Sequence, residues 1–304
     1  GVLTLAINYA DSEVFIRESG TGDLVFKEYM ETDRSRYYAR ISRSGETLTI
    51  KSGRRPWFNW SWKARVEIYL PRSFRENIRI STGSGSLQAE IDLLDYKTID
   101  VSVSSGSVSY KRLSAGSASV HVSSGSLDIA GIGGDSLVSI SSGRLQIGEL
   151  SGQKHRIKTS SGRMRIDSIQ GDSAIEVSSG GVAIEKARGK IDLRASSGSI
   201  DIVGFSGEGS FDLSSGNLSL DMLELTGDLR FTISSGDIEL KLPGEISFNL
   251  DAVTGSGKVL VYEGGSETIR ASGKSTVLRP IGASSERTIY ARTSSGSVRI
   301  YREK

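Results

Sequence analysis

The chain has 304 residues and no cysteine, with 38 basic and 36 acidic side chains and a net charge of +2. That balance gives no bulk electrostatic footprint for nucleic acid, and the missing thiols exclude disulfides and thiolate chemistry. No apolar run approaches the ~20 residues of a membrane span.

Residues 1–77 read as six strands, at 3–8, 13–18, 24–28, 37–42, 47–51 and 64–70, from their alternating apolar and polar side chains. We expect an irregular N-terminal β cap over 1–77, either a separate cover or the larger first laps of a repeat array. Such an array otherwise ends in a bare strand edge. The opening is abrupt, since Val2-Leu3-Thr4-Leu5 is already strand-like, so a leader or anchor ahead of Gly1 is expected.

The least ordinary segment is Arg54-Arg55-Pro56-Trp57-Phe58-Asn59-Trp60-Ser61-Trp62-Lys63, which holds all 3 tryptophans. Arg54, Arg55, Trp57, Phe58, Trp60 and Trp62 suit two readings. The rings can close the core of the cap. Alternatively they form an exposed contact that stacks on sugar or enters a lipid interface while the arginines meet acidic groups.

Beyond residue 77 the triplet Ser-Ser-Gly, or a close variant, recurs. Its glycines are Gly85, Gly106, Gly125, Gly143, Gly162, Gly180, Gly198, Gly216, Gly236, Gly257 and Gly296, spaced by 18–21 residues except for a last step of 39. Serine precedes every one. Around Gly162, the apolar side chains are Ile157 five before, Met164 two after and Ile166 four after, and the other copies share the same pattern. Alternation on both sides of a glycine reads as strand, corner, strand. A weaker ladder, such as Ile132–Gly134 and Leu150–Gly152, marks a second corner in each lap.

A period near 20 is the signature of a solenoid, in which one lap buries its apolar face only against the next. Equivalent strands then run parallel, and the default hand is right. The 4 prolines, Pro56, Pro71, Pro243 and Pro280, all avoid the regular stretch, as expected if its strands must donate backbone hydrogen bonds. The fold class is therefore all-β: a single-stranded parallel β-helix or β-solenoid over 78–304, with the irregular N-terminal cap over 1–77. Regularity fails after Gly257. Residues 266–287 read as an irregular C-terminal cap and 293–301 as a last strand.

Repeated Ser-Ser-Gly corners after a segment Val66-Glu67-Ile68-Tyr69-Leu70-Pro71 resemble the bacterial adhesin-like family of β-strand repeats, the domain of unknown function 4097 type. The resemblance covers nearly the whole chain. It implies a single-stranded β-helix on an envelope or surface protein, and it supplies no catalytic residues.

Enzymes of β-helical shape place carboxylates on one exposed strand face. The outward position three after each corner glycine carries Asp128, Asp201 and Glu239 but never acids in adjacent laps, so no carboxylate pair is expected there. His121 and His155 read as surface residues on separate laps, without metal-ligand spacing. The serines read as structural, with no base placed beside any one of them. Arg144, Arg163 and Arg165 fall on consecutive laps and form a candidate basic stripe for an acidic polymer.

The leading expectation is a non-enzymatic cell-surface or envelope scaffold that binds through its flanks or cap, with no catalytic residues, metal or cofactor. The alternatives are a polysaccharide-binding or polysaccharide-degrading β-helix and an envelope-stress accessory. The expected partner is a surface glycan, a membrane surface or an envelope protein, and no nucleic acid. The expected location is extracellular or in the cell envelope.

Overall fold

The structure, a computed structural model, describes residues 1–54 and 64–303. The chain forms two compact units, residues 1–152 and 153–304, and among the described residues there is no α-helix. The fold is a β-solenoid: in each unit strand succeeds strand around an apolar interior.

The first unit begins with β1 (Thr4–Glu18), β2 (Val25–Met30) and a short 3-10 turn at Ser35–Tyr37. It continues through β3 (Arg40–Ser44), β4 (Thr47–Lys51), β5 (Ala64–Leu70), β6 (Asn77–Ala89) and the long β7 (Leu93–Thr159), whose residues from 153 on belong to the second unit. Stacking order differs from chain order here. β1 pairs in parallel with β6, Thr4 opposite Asn77, and also with β4 and β5, Thr4 opposite Thr47. The first strand of the chain is thus a complete lap with a neighbour on either side. The outermost lap, β4 with β5, is covered by β3 and β2, which run antiparallel to it. Taken as a pair, β2 and β3 form one lap travelled in reverse.

In the second unit β8 (Arg163–Val177), β9 (Gly181–Ala195), β10 (Ser199–Leu213) and β11 (Asn217–Ile233) each run from one Ser-Ser-Gly corner to the next. They stack in parallel with equivalent residues opposed, as Ile166 opposite Ile184 and Ile184 opposite Ile202. Then come β12 (Asp237–Pro243), β13 (Phe248–Thr254), β14 (Lys258–Glu263), β15 (Ser266–Ser272), β16 (Ser275–Ile281), β17 (Thr288–Thr293) and β18 (Ser297–Glu303).

The regular order breaks after β12. β17 lies between β11 and β13, and β18 lies between β12 and β14. The chain skips one lap, lays down the next, and returns to fill the gap. Between those steps β15 and β16 cover β14 and β13 antiparallel. The step of 39 residues from Gly257 to Gly296 therefore holds a reversed lap as well as a forward one. The expected last strand over 293–301 takes in the end of β17, the corner at 294–296 and most of β18. Both ends of the chain use the same device: a reversed outer lap, with a terminal lap held inside it.

The interior obeys the sequence pattern. Ile157, Ile166, Ile184, Leu220, Val261 and Ile300 are fully buried, and so is the half-way ladder of Ile132, Leu150, Ile169 and Phe205. The corner glycines explain their own repetition. Gly180 has φ +117, outside the range that L side chains adopt, and a Cβ there would collide with the carbonyl oxygen of Gly162. The preceding serines stay at the surface, and their backbone carries the ladder: the Ser179 N–H donates to the Ser160 carbonyl at 2.9 Å.

Candidate functional site

A dense cluster of polar and aromatic side chains lies on the outer face of β1, β2 and β5. Strand alternation sends Val66, Ile68 and Leu70 inward and Arg65, Glu67 and Tyr69 outward. Glu67 should then be solvated, yet it is only 3 % exposed. The register explains why. Glu67 stands opposite Phe15 of β1 and Lys27 of the reversed β2. Arg17 and Tyr69 are opposed one step along, and Arg65 and Tyr29 are opposed one step back.

These neighbours close over the carboxylate and satisfy it. Oε1 accepts from Arg17 at 2.8 Å and from Arg65 at 2.5 Å, while Oε2 accepts from the Tyr69 hydroxyl at 2.8 Å and from the Tyr29 hydroxyl at 3.3 Å. The Tyr69 hydroxyl, helped by both arginines, holds the Glu67 carboxyl below its ordinary range. Arg17 also grips Glu90 through two bonds of 2.9 Å.

The cations stack on rings as well. Arg65 lies 4.7 Å from the Phe15 centroid and Lys27 4.9 Å from that of Tyr69. Tyr29 remains 49 % exposed and Lys27 is exposed. The outcome is a flat face of Tyr, Phe, Arg and Lys, fixed by a buried carboxylate. Aromatic and arginine side chains of this kind carry most of the energy in protein contact surfaces. An ionised, fully bonded carboxylate is suited to anchoring that face.

Sequence reading missed this cluster because an acid at an outward strand position reads as solvated. The available signal was Arg65 and Tyr69, two residues to either side of Glu67 and therefore on its face. What could not be read was the return of β2 across it.

Among the residues singled out from sequence, Arg54 is exposed, and its backbone N–H donates to the Arg36 carbonyl at 3.0 Å. Arg55, Trp57, Phe58, Trp60 and Trp62 lie outside the described residues. Arg144 is exposed in the first unit, and Arg163 and Arg165 are exposed in the second. Arg165 is bonded to Asp167 at 3.2 Å and to Glu185 of the next lap. Lys158 is paired with Glu176 at 2.7 Å, so acids alternate with the bases along these rows.

Two expectations need correction. His155 is 2 % exposed and not a surface residue. It shares the inward face of Ile157, and its Nε2 lies 3.0 Å from the Gln170 carbonyl oxygen, a bond that makes burial of the ring tolerable. His121 does face outward, but it is a base beside a serine. Its Nδ1 is 2.6 Å from Ser139 Oγ, one lap on, and its Nε2 is 3.3 Å from Ser123 Oγ. A separation of one lap hides such a pair from any local motif. Among the described residues no group of three His, Asp or Glu could hold a metal ion.

Parallel coils with glycine corners and two antiparallel end laps define a β-solenoid of the single-chain type. The Toastrack DUF4097 family model matches residues 2–188 and 186–301, and the chain belongs to that family. No curated protein matches it. Among solved structures, a Clostridium sporogenes protein provisionally named for cell adhesion shows 12 % identity and a TM-score of 0.25. The match covers 100 % of this chain and 94 % of that one. At that score the likeness bears on neither fold nor function. Among the described residues no helix is long and apolar enough to cross a membrane.

Proposed function

We propose that this chain is a non-enzymatic binding scaffold of the bacterial envelope or cell surface, and that the outer face of its first laps is a contact surface. The observation that carries the reading is Glu67, buried on the outside of the sheet beneath Phe15, Arg65, Tyr29 and Tyr69. Burying an ion pair is costly unless geometry and hydrogen bonds are fully met. Here that cost fixes the positions of side chains that stand on the surface. The segment 54–63 leads into β5 in sequence, and its arginines and tryptophans are proposed as further binding residues of the scaffold.

The test is capture of envelope protein by the immobilised chain, read by mass spectrometry. Tyr29→Ala with Lys27→Ala should reduce capture while the chain stays folded at the assay temperature, since Arg17, Arg65 and Tyr69 still bond Glu67 when the 3.3 Å bond from Tyr29 is lost. Capture unchanged by the double substitution would remove this face. Turnover of an envelope polymer by the purified chain would replace a scaffold with an enzyme.

A further inference from the structure

The skipped lap of the second unit leaves a hollow. The chain crosses the same corner twice: outward through Gly244 to Ser247 before β13, and back through Gly282 to Arg287 before β17. Between these crossings and the corner at Thr226 to Asp228 lies a depression of about 790 Å³. Its walls are tied down. The Ala283 N–H donates to Ser247 Oγ at 3.0 Å, Asn249 Nδ2 to the Ser285 carbonyl at 2.7 Å, and the Thr288 N–H to Asp228 Oδ1 at 2.9 Å.

The depression continues on both sides. Asp228 is shared with a hollow of about 340 Å³ that reaches Lys190 and Glu208, and Glu245 with one of about 400 Å³ that reaches Lys241 and Glu303. The three hollows adjoin through those two residues, and we take the row as one furrow. Small ligands bind in concave sites that enclose most of their surface, and this furrow encloses nothing. It suits a chain lying across successive laps.

The lining chemistry narrows the chain. Seven carboxylates face four cationic groups, which disfavours phosphate, sulfate and uronate polymers by like-charge repulsion. Glu245, Glu286 and Arg287 are exposed and take part in no ion pair among the described residues. Serine hydroxyls at Ser247, Ser284 and Ser285 add groups that both donate and accept. Carboxylates that accept, a guanidinium that donates and hydroxyls that do either match a polyhydroxylated chain without acidic groups.

We propose that this furrow binds a glycan strand that is neutral or carries amino groups. The site shares no residue with the face around Glu67, so the two stand or fall separately. The experiment is titration calorimetry of the full chain with three hexasaccharides: N-acetylglucosamine, glucosamine and galacturonate. The first two should bind and the third should not. Glu245→Ala with Arg287→Ala should weaken binding at least tenfold, at unchanged melting temperature. Glu286→Lys, at an exposed loop tip, should weaken the glucosamine oligomer and begin to admit galacturonate. Preference of the native chain for galacturonate, no binding of any oligomer at millimolar concentration, or binding indifferent to both variants would each overturn the proposal.

Discussion

Gly296 packs directly on Gly236, while Gly257, which precedes it in the chain, packs on its other side. The last lap is therefore an inserted one, bonded along both edges, and the two laps laid down just before it, β13 with β14 and β15 with β16, are more peripheral. Resistance to local opening should track stacking order, because exchange protection reflects how many neighbours an element must part from. We expect the amides of β17 and β18 to exchange more slowly than those of β15 and β16, and β1 more slowly than β3. Hydrogen exchange read by mass spectrometry decides this. Faster exchange at the chain termini than in the reversed laps would refute the inserted arrangement.

The corner column makes an asymmetric prediction for adjacent residues. Gly180→Ala forces a side chain into φ +117 and against the Gly162 carbonyl, and should cost about 1–3 kcal/mol. Ser179→Ala removes an exposed hydroxyl, with its 3.3 Å contact to the Ser160 carbonyl, and should cost under about 1 kcal/mol. Denaturant unfolding of the two variants measures the difference. Equal effects would mean that the glycine is not conformationally required.

Tyr110 is buried, and its hydroxyl has no partner among the described residues. Burial alone pushes its phenol above the ordinary value. It occupies the position four after a corner glycine, where most laps carry an aliphatic side chain. Removing the hydroxyl lifts a desolvation penalty and leaves the packing almost intact. Tyr110→Phe should therefore raise stability by about 1 kcal/mol. A lower unfolding midpoint would show that the hydroxyl is bonded in solution.

Glu67 makes a pH prediction. Its folded-state pKa lies below its ordinary value of 4.5, first through the Tyr69 hydroxyl and then through Arg65. The stability it contributes is present above pH 4.5 and is lost as pH falls through the lowered value. Glu67→Gln should lower the melting temperature at neutral pH, and the gap to the native chain should close on acidification. A gap that stays constant down to about pH 3 would mean that the charge is not what matters.

The regular laps were legible because three constraints coincide at each corner. Gly162 needs its backbone conformation, and Ile157 and Ile166 must both point inward from it. The ends were not legible for a specific reason. β1 is a lap like the others, but Ser12 stands where Gly85 stands in the next lap, so the marker is missing. Its partner Asn77 is also far along the chain. His155 was open to reading, since alternation with Ile157 and Thr159 already placed it inside. Glu67 was not, because the strand that covers it arrives from an antiparallel direction that no repeat announces.

A parallel coil is a template as much as a fold, because each lap offers the next an edge identical to the one it used. Nothing in such a pattern says when to stop, and a second molecule could continue where the first left off. Turning the chain around supplies the stop. β3 and β16 face outward with their backbones running the wrong way for another forward lap, and Arg40, Arg43 and Pro280 sit on those edges. The number of laps is thus set within a single molecule and is insulated from concentration.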